Sequence, residues 1–300
     1  MDELKTILSR VADDDNITPF KGGEIGCSFF RIRHKGQKAV LKAGDIRSRA
    51  GSEIERNYSA YEEMDEIGIS QYVAPKIYGR GFYNGILYLI LEDAGEDFRK
   101  SATLENIIPM TDTLITSLDK AYRQSKRENP EGAIGWLTGI KDHMKKYFVQ
   151  HLKNAGYVKD EDIDKLESLD LDKISPKNVA WSTADLTPDN VFVNNNRVII
   201  IDPMPNALGV PTIDLAMFST LAGEVYNLPN GDLCAEKVKN FAGKISTYLG
   251  YDNSGSLLFK FGQARQYALS SRFRIGKDSR AESFARKSVQ KIEEILEEVK

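Results

Sequence analysis

The amino-acid sequence predicts an α+β protein with two lobes, a small N-terminal lobe rich in β-strands and a larger C-terminal lobe that is mainly helical. Residues 25–41 carry β-branched and aromatic side chains on both sides of a polar HKGQ turn, which is typical of two antiparallel strands. A second pair of extended runs flanks Asn84 and Gly85, a dipeptide that favours a type I′ hairpin turn. Later residues mostly show helical spacing, so we place the N-terminal lobe at 1–95 and the C-terminal lobe at 96–300.

Two helices are predicted in the N-terminal lobe. The first opens the chain, where apolar residues recur at helical spacing: Leu4, Ile7, Leu8 and Val11. The second begins around Ser52, which has the spacing of a capping box with Glu55, and ends near Gly68. We expect the apolar side of this second helix to pack on the sheet.

The C-terminal lobe is predicted to contain helices over residues 104–127, 133–155 and 159–171, and a last helix that begins with the capping-box pair Ser279 and Glu282. One extended stretch, VFVNNNRVIIID, interrupts this helical half and is typical of a hairpin with the asparagines in its turn. No repeat or linker-like tract separates the two halves, so we expect the lobes to share an interface.

Composition limits the class of protein. The chain has 41 Lys and Arg residues against 44 Asp and Glu residues, a formal net charge of −3. Binding of DNA through counterion release requires a basic face, so this balance argues against a generic DNA-binding protein. Cys27 and Cys234 are too few for a disulfide framework and lack the spacing of a zinc site, which favours a reducing, cytoplasmic location. The longest apolar runs are far shorter than the ~20 residues that a membrane span requires.

The segment TADLTPDN carries the strongest chemical signal. Asp185 precedes Asn190 by five positions, and Asp202 follows at the end of the predicted hairpin. This arrangement suits phosphoryl transfer from ATP, because one carboxylate can take the proton of the attacking hydroxyl while two further side chains offer hard oxygen ligands to Mg²⁺. Each residue alone is equally typical of a turn or a strand end, so the prediction depends on the combination.

On these residues the chain resembles the protein-kinase-like phosphotransferases, in particular the aminoglycoside phosphotransferase and choline kinase family, whose catalytic loop reads HxDxxxxN. The resemblance implies a two-lobed protein-kinase-like fold with Asp185 as the catalytic base and with Asn190 and Asp202 as Mg²⁺ ligands. Asp214 in TIDLA resembles the aspartate that braces this loop. Thr183 stands where the family usually has histidine, which puts the geometry of the loop in question more than its chemistry.

The resemblance also implies an ATP site in the N-terminal lobe. Gly26 and Ser28 match a GxS loop over the nucleotide phosphates, although a turn at a strand edge has the same sequence. Lys42 matches the lysine that contacts the α and β phosphates. That lysine needs a carboxylate from the helix, and Glu55 has the best spacing, although its capping-box position gives it a structural alternative. Two further glutamates remain candidates: Glu53 and Glu62.

The stretch YLILEDAGEDF resembles the strand and hinge that join the lobes of this family. The adenine edge is then expected to bond to backbone groups at Glu92, Asp93 and Ala94, with Ile90 or Leu91 lining the base pocket.

Together these features predict an ATP- and Mg²⁺-dependent enzyme that phosphorylates a hydroxyl of a small molecule, such as an aminoglycoside, a sugar or an amino alcohol. A protein or RNA acceptor is the alternative of the same chemistry, supported by the basic segments KDHMKKYF and RFRIGKDSRAESFARK. A nucleotide-binding module without turnover is the alternative of a different class, motivated by Thr183 and the ambiguous partner of Lys42.

Overall fold

The N-terminal lobe is built on a five-stranded antiparallel sheet with the strand order β1-β2-β3-β5-β4. A computed structural model describes residues 2–20, 26–194, 196–205, 208–251 and 254–299. The elements of this lobe are α1 (Asp2–Val11), β1 (Thr18–Phe20), β2 (Ser28–His34), β3 (Gln37–Asp45), α2 (Arg49–Glu66), α3 (Ser70–Val73), β4 (Ile77–Tyr83) and β5 (Ile86–Glu92).

Both predicted hairpins of this lobe are present, and Ile25 of the first predicted run lies outside the described residues. β2 and β3 are joined by a turn with positive φ at Lys35 (49°) and Gly36 (76°). β4 and β5 are joined by Asn84 and Gly85, at φ 44° and 86°. Positive φ at both turn positions is the geometry of a type I′ turn, which matches the twist of the flanking strands.

The predicted start of α2 was wrong. The helix begins at Arg49, and the Ser48 hydroxyl caps it by accepting the N–H of Ala50 at 3.1 Å. Ser52 therefore lies within the helix, and the predicted capping box with Glu55 does not form at this end.

The C-terminal lobe is mainly helical, with one short three-stranded sheet in the order β10-β7-β6 and the separate hairpin β8-β9. Its first elements are α4 (Phe98–Ser101), α5 (Ile107–Ser125), β6 (Arg127–Glu128), α6 (Pro130–Tyr147), α7 (Asp160–Glu167), β7 (Asn178–Trp181), β8 (Val191–Asn194) and β9 (Arg197–Ile200). The remaining elements are β10 (Leu208–Gly209), α8 (Pro211–Thr220), α9 (Gly231–Leu249), α10 (Ser254–Arg274) and α11 (Arg280–Val299). The last helix begins one residue after Ser279, and the Asp278 carboxylate, rather than Ser279, accepts the Arg280 N–H at 2.9 Å.

One hydrophobic cluster runs through both lobes. It includes Ile54 of α2 and Leu89 of β5 in the N-terminal lobe, together with Phe218 of α8 and Ile295 of α11 in the C-terminal lobe. All ten residues of α8 are buried, so this helix forms the centre of the C-terminal lobe. In the described part of the chain, no helix is long and apolar enough to cross a membrane.

Candidate active site

The loop between β7 and β8 carries the predicted catalytic residues, and a buried carboxylate on α8 holds its first turn. Asp214 is fully buried, and its Oδ2 accepts the Ser182 hydroxyl at 2.8 Å and the Thr183 N–H at 2.7 Å. Burial raises the pKa of Asp214 to about 6, against the smaller lowering effects of the hydrogen bond from Ser182 and of Arg265. The structure therefore places Asp214 where a brace of the loop is expected.

Thr183, the departure from the family motif, supports the loop through its own hydroxyl. Its Oγ1 accepts the backbone N–H of Asp185 at 3.0 Å, and the residue is buried. This bond closes a short turn of the kind that Ser and Thr side chains form with the backbone two residues on. The threonine thus fixes the chain direction immediately before Asp185.

Arg265 of α10 is a second brace, which sequence reasoning missed. Ala184 has a φ of 58°, in the left-handed region that costs a non-glycine residue about 1 kcal/mol. The Nη2 of Arg265 donates to the Ala184 carbonyl at 3.0 Å and so holds this strained residue. No local motif points to an arginine so far along the chain, and only the packing of α10 against α8 brings it here.

Asp185 and Asn190 are in direct contact. The Asn190 amide Nδ2 donates to the Asp185 carboxylate Oδ2 at 3.1 Å and to the Asp185 carbonyl at 3.2 Å. Asp185 is an exposed residue. Desolvation by the surrounding protein atoms nevertheless raises the pKa of its carboxyl group, while the charge of Arg265 and the hydrogen bond from Asn190 partly oppose this increase. A carboxylate whose pKa is raised is a better proton acceptor, which suits a general base.

The hairpin β8-β9 brings Asn190 and Asp202 to the same end of one rigid element. The Ile201 N–H donates to the Asn190 carbonyl at 3.0 Å, directly beyond the last paired residues of the hairpin. Asp202 follows with a φ of 52°, a conformation that aspartate tolerates better than most side chains. The two predicted metal ligands are therefore neighbours in the fold.

Lys42 of β3 joins the two lobes at this site. Its Nζ lies 2.8 Å from Asp202 Oδ1 and 2.6 Å from Asn57 Oδ1, and only 3% of the lysine is exposed. The buried ammonium therefore has one ionic partner from the C-terminal lobe and one neutral partner from α2. A buried lysine without such partners would favour its neutral form.

The prediction that Glu55 pairs with Lys42 was wrong. The buried face of α2 carries Asn57, whereas Glu55 is exposed. The two other candidates are also elsewhere, since Glu53 forms an ion pair with Arg56 and Glu62 is exposed. A more careful reading of helix phase could have found Asn57.

Gly26 and Ser28 lie where the predicted phosphate loop meets β2, but residues 21–25 lie outside the described residues. Gly26 has a φ of 82°, and a Cβ added there would meet no atom within 4 Å, so the residue borders open space. Ser28 opens β2 and pairs with Ala43, next to Lys42 on β3. Phosphate binding by Gly26 and Ser28 stays a prediction.

Among the described residues, the backbone donors of the hinge after β5 differ in whether they have an acceptor. The N–H of Glu92 donates to the Lys76 carbonyl at 2.9 Å, and the N–H of Asp93 donates to the Lys38 carbonyl at 3.3 Å. Within the described ranges, the N–H of Ala94 has no such acceptor, although Ala94 is buried. Buried donors are normally paired. Of the three residues predicted to bind adenine, Ala94 is therefore the one whose backbone N–H is available to donate to a ligand.

The hinge is also connected to the β8-β9 hairpin. Arg197 of β9 contacts both carboxylate oxygens of Glu92, at 2.8 and 2.6 Å, and donates to the Ala74 carbonyl at 2.8 Å. The Glu92 side chain is therefore structural. Its predicted contribution to adenine binding remains one of backbone groups.

The donor set fits a magnesium ion held together with phosphates. In the described ranges, no group of three or more His, Cys, Asp or Glu residues forms a metal cage. Asn190 and Asp202 offer one amide oxygen and one carboxylate, and Mg²⁺ is usually held by one or two protein oxygens plus phosphate and water. The amide of Asn190 donates through Nδ2, which leaves its Oδ1 to act as a ligand.

Comparisons with known proteins address the fold. No family model matches the chain, and no curated protein is similar to it in sequence. Among solved structures, the aminoglycoside phosphotransferase APH(4)-Ia aligns with a TM-score of 0.60 at 13% identity, covering 98% of this chain and 97% of that one. A putative fructosamine-3-kinase from Haemophilus somnus 129PT aligns with a TM-score of 0.55 at 14% identity, covering 98% and 97%. The chain has the protein-kinase-like phosphotransferase fold.

In this kinase-like fold, a second cluster lies beside the catalytic loop. Asp189 accepts a hydrogen bond from the Tyr226 hydroxyl and lies 3.3 Å from Nη1 of Arg99. The Arg99 guanidinium stacks on the Tyr226 ring at 4.1 Å. Burial and the bond to Asp189 raise the pKa of Tyr226, so its hydroxyl stays protonated. The carboxylate of Asp189 is therefore already neutralised by protein groups.

Proposed function

We propose that the protein transfers the γ-phosphoryl group of ATP to a hydroxyl group of a small molecule. The observation that carries this proposal is the contact of Lys42 with Asp202 across the lobes, at 2.8 Å, beside the pair formed by Asn190 and Asp185. A cation for the phosphates, two oxygen donors for a metal and a base for the hydroxyl are together the parts that phosphoryl transfer requires.

The reaction is a displacement at the γ-phosphorus. The hydroxyl oxygen of the acceptor forms a bond to that phosphorus, the bond to the ADP oxygen breaks, and the hydroxyl proton passes to the Asp185 carboxylate. Lys42 binds phosphate oxygens and neutralises their charge, and Asn190 orients the Asp185 carboxylate through its amide. A bound Mg²⁺, held by Asn190 and Asp202, would supply further neutralisation of the phosphate charge.

The structural neighbours support a nucleotide and a small acceptor. A thermostable mutant of aminoglycoside phosphotransferase APH(4)-Ia has been solved with ADP and hygromycin B, and another with AMP-PNP and hygromycin B. We infer the same two kinds of partner for this chain, with adenine at Glu92 to Ala94. The chemical class of the acceptor is taken up below.

The test is turnover of ATP with Mg²⁺ across a panel of hydroxyl compounds, with ADP and the phosphorylated product both measured. Asp185→Ala and Asp202→Ala are each expected to abolish transfer while the thermal unfolding curve without nucleotide changes little. Near-wild-type transfer by either variant would contradict the proposal. Thermal stabilisation by ATP without consumption in any reaction would instead identify a binding module.

A further inference from the structure

The two basic segments singled out in the sequence meet on one surface of the C-terminal lobe. We call this surface the α6–α10 face and define it by His143, Lys146, Tyr147, Arg265 and Arg272. The guanidinium of Arg272 lies 4.9 Å from the centre of the Tyr147 ring, and the His143 ring lies 6.3 Å from that same ring. Segments that are more than 100 residues apart in the chain thus form one basic and aromatic face.

The α6–α10 face begins at the catalytic loop. Arg265 donates to the carbonyl of Ala184, the residue before Asp185, at 3.0 Å. The charge of Arg265 acts on Asp185 and also on His143, where, after desolvation, it lowers the imidazole pKa. The face therefore adjoins the catalytic loop, so an acceptor whose hydroxyl reaches Asp185 has this face within its neighbourhood.

Two cations of the face, Lys146 and Arg272, form no ion pair with a carboxylate within the described part of the chain, whereas the charge of Arg265 acts on the carboxylates of Asp185 and Asp214. The one acid beside them on α6 is the exposed Asp142, whose charge also acts on Lys141 and Lys145. Cations close by are paired, as in Lys145 with Glu167, Arg274 with Asp278 and Lys287 with Glu224. Although the net charge of the chain is −3, Lys146 and Arg272 thus leave unpaired positive charge on the α6–α10 face.

Two carboxylates near the loop, Asp189 and Glu224, are already held by protein groups. Asp189 is held by Arg99 and Tyr226, and Glu224 is held by Lys287 and Tyr267. A polycationic acceptor would need unpaired carboxylates at these positions, whereas an anionic acceptor needs unpaired guanidinium groups.

We propose that the α6–α10 face binds an anionic group of the acceptor, so that the substrate is a hydroxyl compound carrying a phosphate or a carboxylate. This inference rests on the phosphotransfer proposed above and specifies its acceptor. Arg272 is the recognition group, because its guanidinium is held 4.9 Å from the centre of the Tyr147 ring and a guanidinium binds phosphate or carboxylate oxygens through two parallel N–H groups.

The test compares binding of matched ligands by isothermal titration calorimetry with AMP-PNP present. The panel contains glucose 6-phosphate, glycerol 3-phosphate and gluconate as anions, glucose as the neutral match, and hygromycin B as the polycation. At least one anion is expected to bind tenfold or more tightly than glucose. Tighter binding of a sugar or glycerol phosphate would identify a phosphate-bearing acceptor, and tighter binding of gluconate would identify a carboxylate-bearing one.

Arg272→Gln is expected to weaken binding of that anion by about tenfold, which corresponds to one charge-assisted hydrogen bond, and to leave glucose binding unchanged. The matched control is Arg123→Gln, because Arg123 also stacks on a tyrosine ring, Tyr248 at 4.1 Å, but is paired with Asp119 on α5. The control is expected to bind the anion like the wild type.

Three results would overturn the inference. The first is tighter binding of hygromycin B than of every anion, and the second is an equal loss of anion affinity in Arg272→Gln and Arg123→Gln. The third is binding of an RNA 20-mer, with a steep salt dependence, and of none of the small anions. Binding does not require transfer, so the two proposals fail separately. Arg272-dependent binding without any ATP turnover would contradict the proposed function, while turnover with only neutral or cationic acceptors would contradict the anion site.

Discussion

The Nζ of Lys42 lies 2.8 Å from Oδ1 of Asp202, and this ion pair joins the β-sheet of the N-terminal lobe to the residue that follows β9 in the C-terminal lobe. The lysine has 4% of its side chain exposed and the aspartate has 40%. The pair therefore has one buried member and one member that solvent or a ligand can reach. The Lys42 ammonium is therefore already held in place before the proposed nucleotide binds. This reduces the conformational entropy that the lysine side chain would lose on binding.

Asn57 is expected to position Lys42 for ATP. Asn57→Leu removes the 2.6 Å contact with the ammonium, and a hydrogen bond to a charged group contributes about 1.5–3 kcal/mol. We expect the KM for ATP to rise about tenfold or more in steady-state kinetics. Glu55→Gln, on the exposed side of the same helix, serves as the control and should leave that KM unchanged. Equal losses in the two variants would contradict the assignment of Asn57.

Arg265→Met is expected to lower kcat by about tenfold or more, because the strained Ala184 loses the donor that holds its carbonyl. The KM for ATP should change little, since Arg265 has no contact with the nucleotide site. Arg265→Lys, which keeps a charged donor, should recover part of the loss, and a purely structural role would not show this pattern. Arg286→Met, a change at an exposed pair with Glu282, is the control for the loss of a surface arginine.

Asp214 is expected to make stability depend on pH. Its pKa is about 6 in the folded protein and 3.8 in a model compound, so the folded state retains this proton at higher pH than the unfolded state does. The contribution is fully favourable below a pH of about 4 and is lost as the pH rises through about 6, by at most about 3 kcal/mol. Asp214→Asn cannot titrate and should lack this loss.

Urea unfolding of the wild type and of Asp214→Asn at pH 4, 5, 6 and 7 measures this effect. The free energy of unfolding of the wild type should fall relative to that of the variant across this interval. A constant difference between the two proteins would show that the carboxyl group does not change its protonation there.

Arg197→Gln is expected to lower the free energy of unfolding by about 1–3 kcal/mol, because it breaks charge-assisted bonds to Glu92 and a bond to the Ala74 carbonyl. We expect weaker ATP binding as well, since the hinge would lose its support from the hairpin. Lys153→Gln removes an exposed ion pair with Asp160 and should change stability by less than about 1 kcal/mol. Loss of stability in the control alone would refute the role of Arg197.

The sequence was sufficient for features that depend on local spacing. Asp185 and Asn190 lie on one loop and Asp202 lies one hairpin later, so short-range turn chemistry brings them together without any knowledge of distant packing. Turn preferences likewise predicted the hairpin at Asn84 and Gly85. These features need only the preferences of a few consecutive residues.

Features that depend on helix phase and on distant contacts were not predicted. The partner of Lys42 was misassigned because Glu55 was chosen by its spacing along the chain, whereas helical periodicity places Asn57 on the buried side of α2 with Ile54 and Tyr61. Arg265 acts on a loop that lies 81 residues before it, and only the packing of the helices determines that contact.

The hydrophobic cluster that includes Ile54 of α2 and Ile295 of α11 has a consequence for folding. Because buried side chains of both lobes contact each other in one continuous core, neither lobe separates from the other without exposing apolar surface to water. The two lobes should therefore unfold in one cooperative transition. A fragment that ends at the hinge would expose the N-terminal side chains of this cluster to water, so the N-terminal lobe depends on the complete chain for its stability.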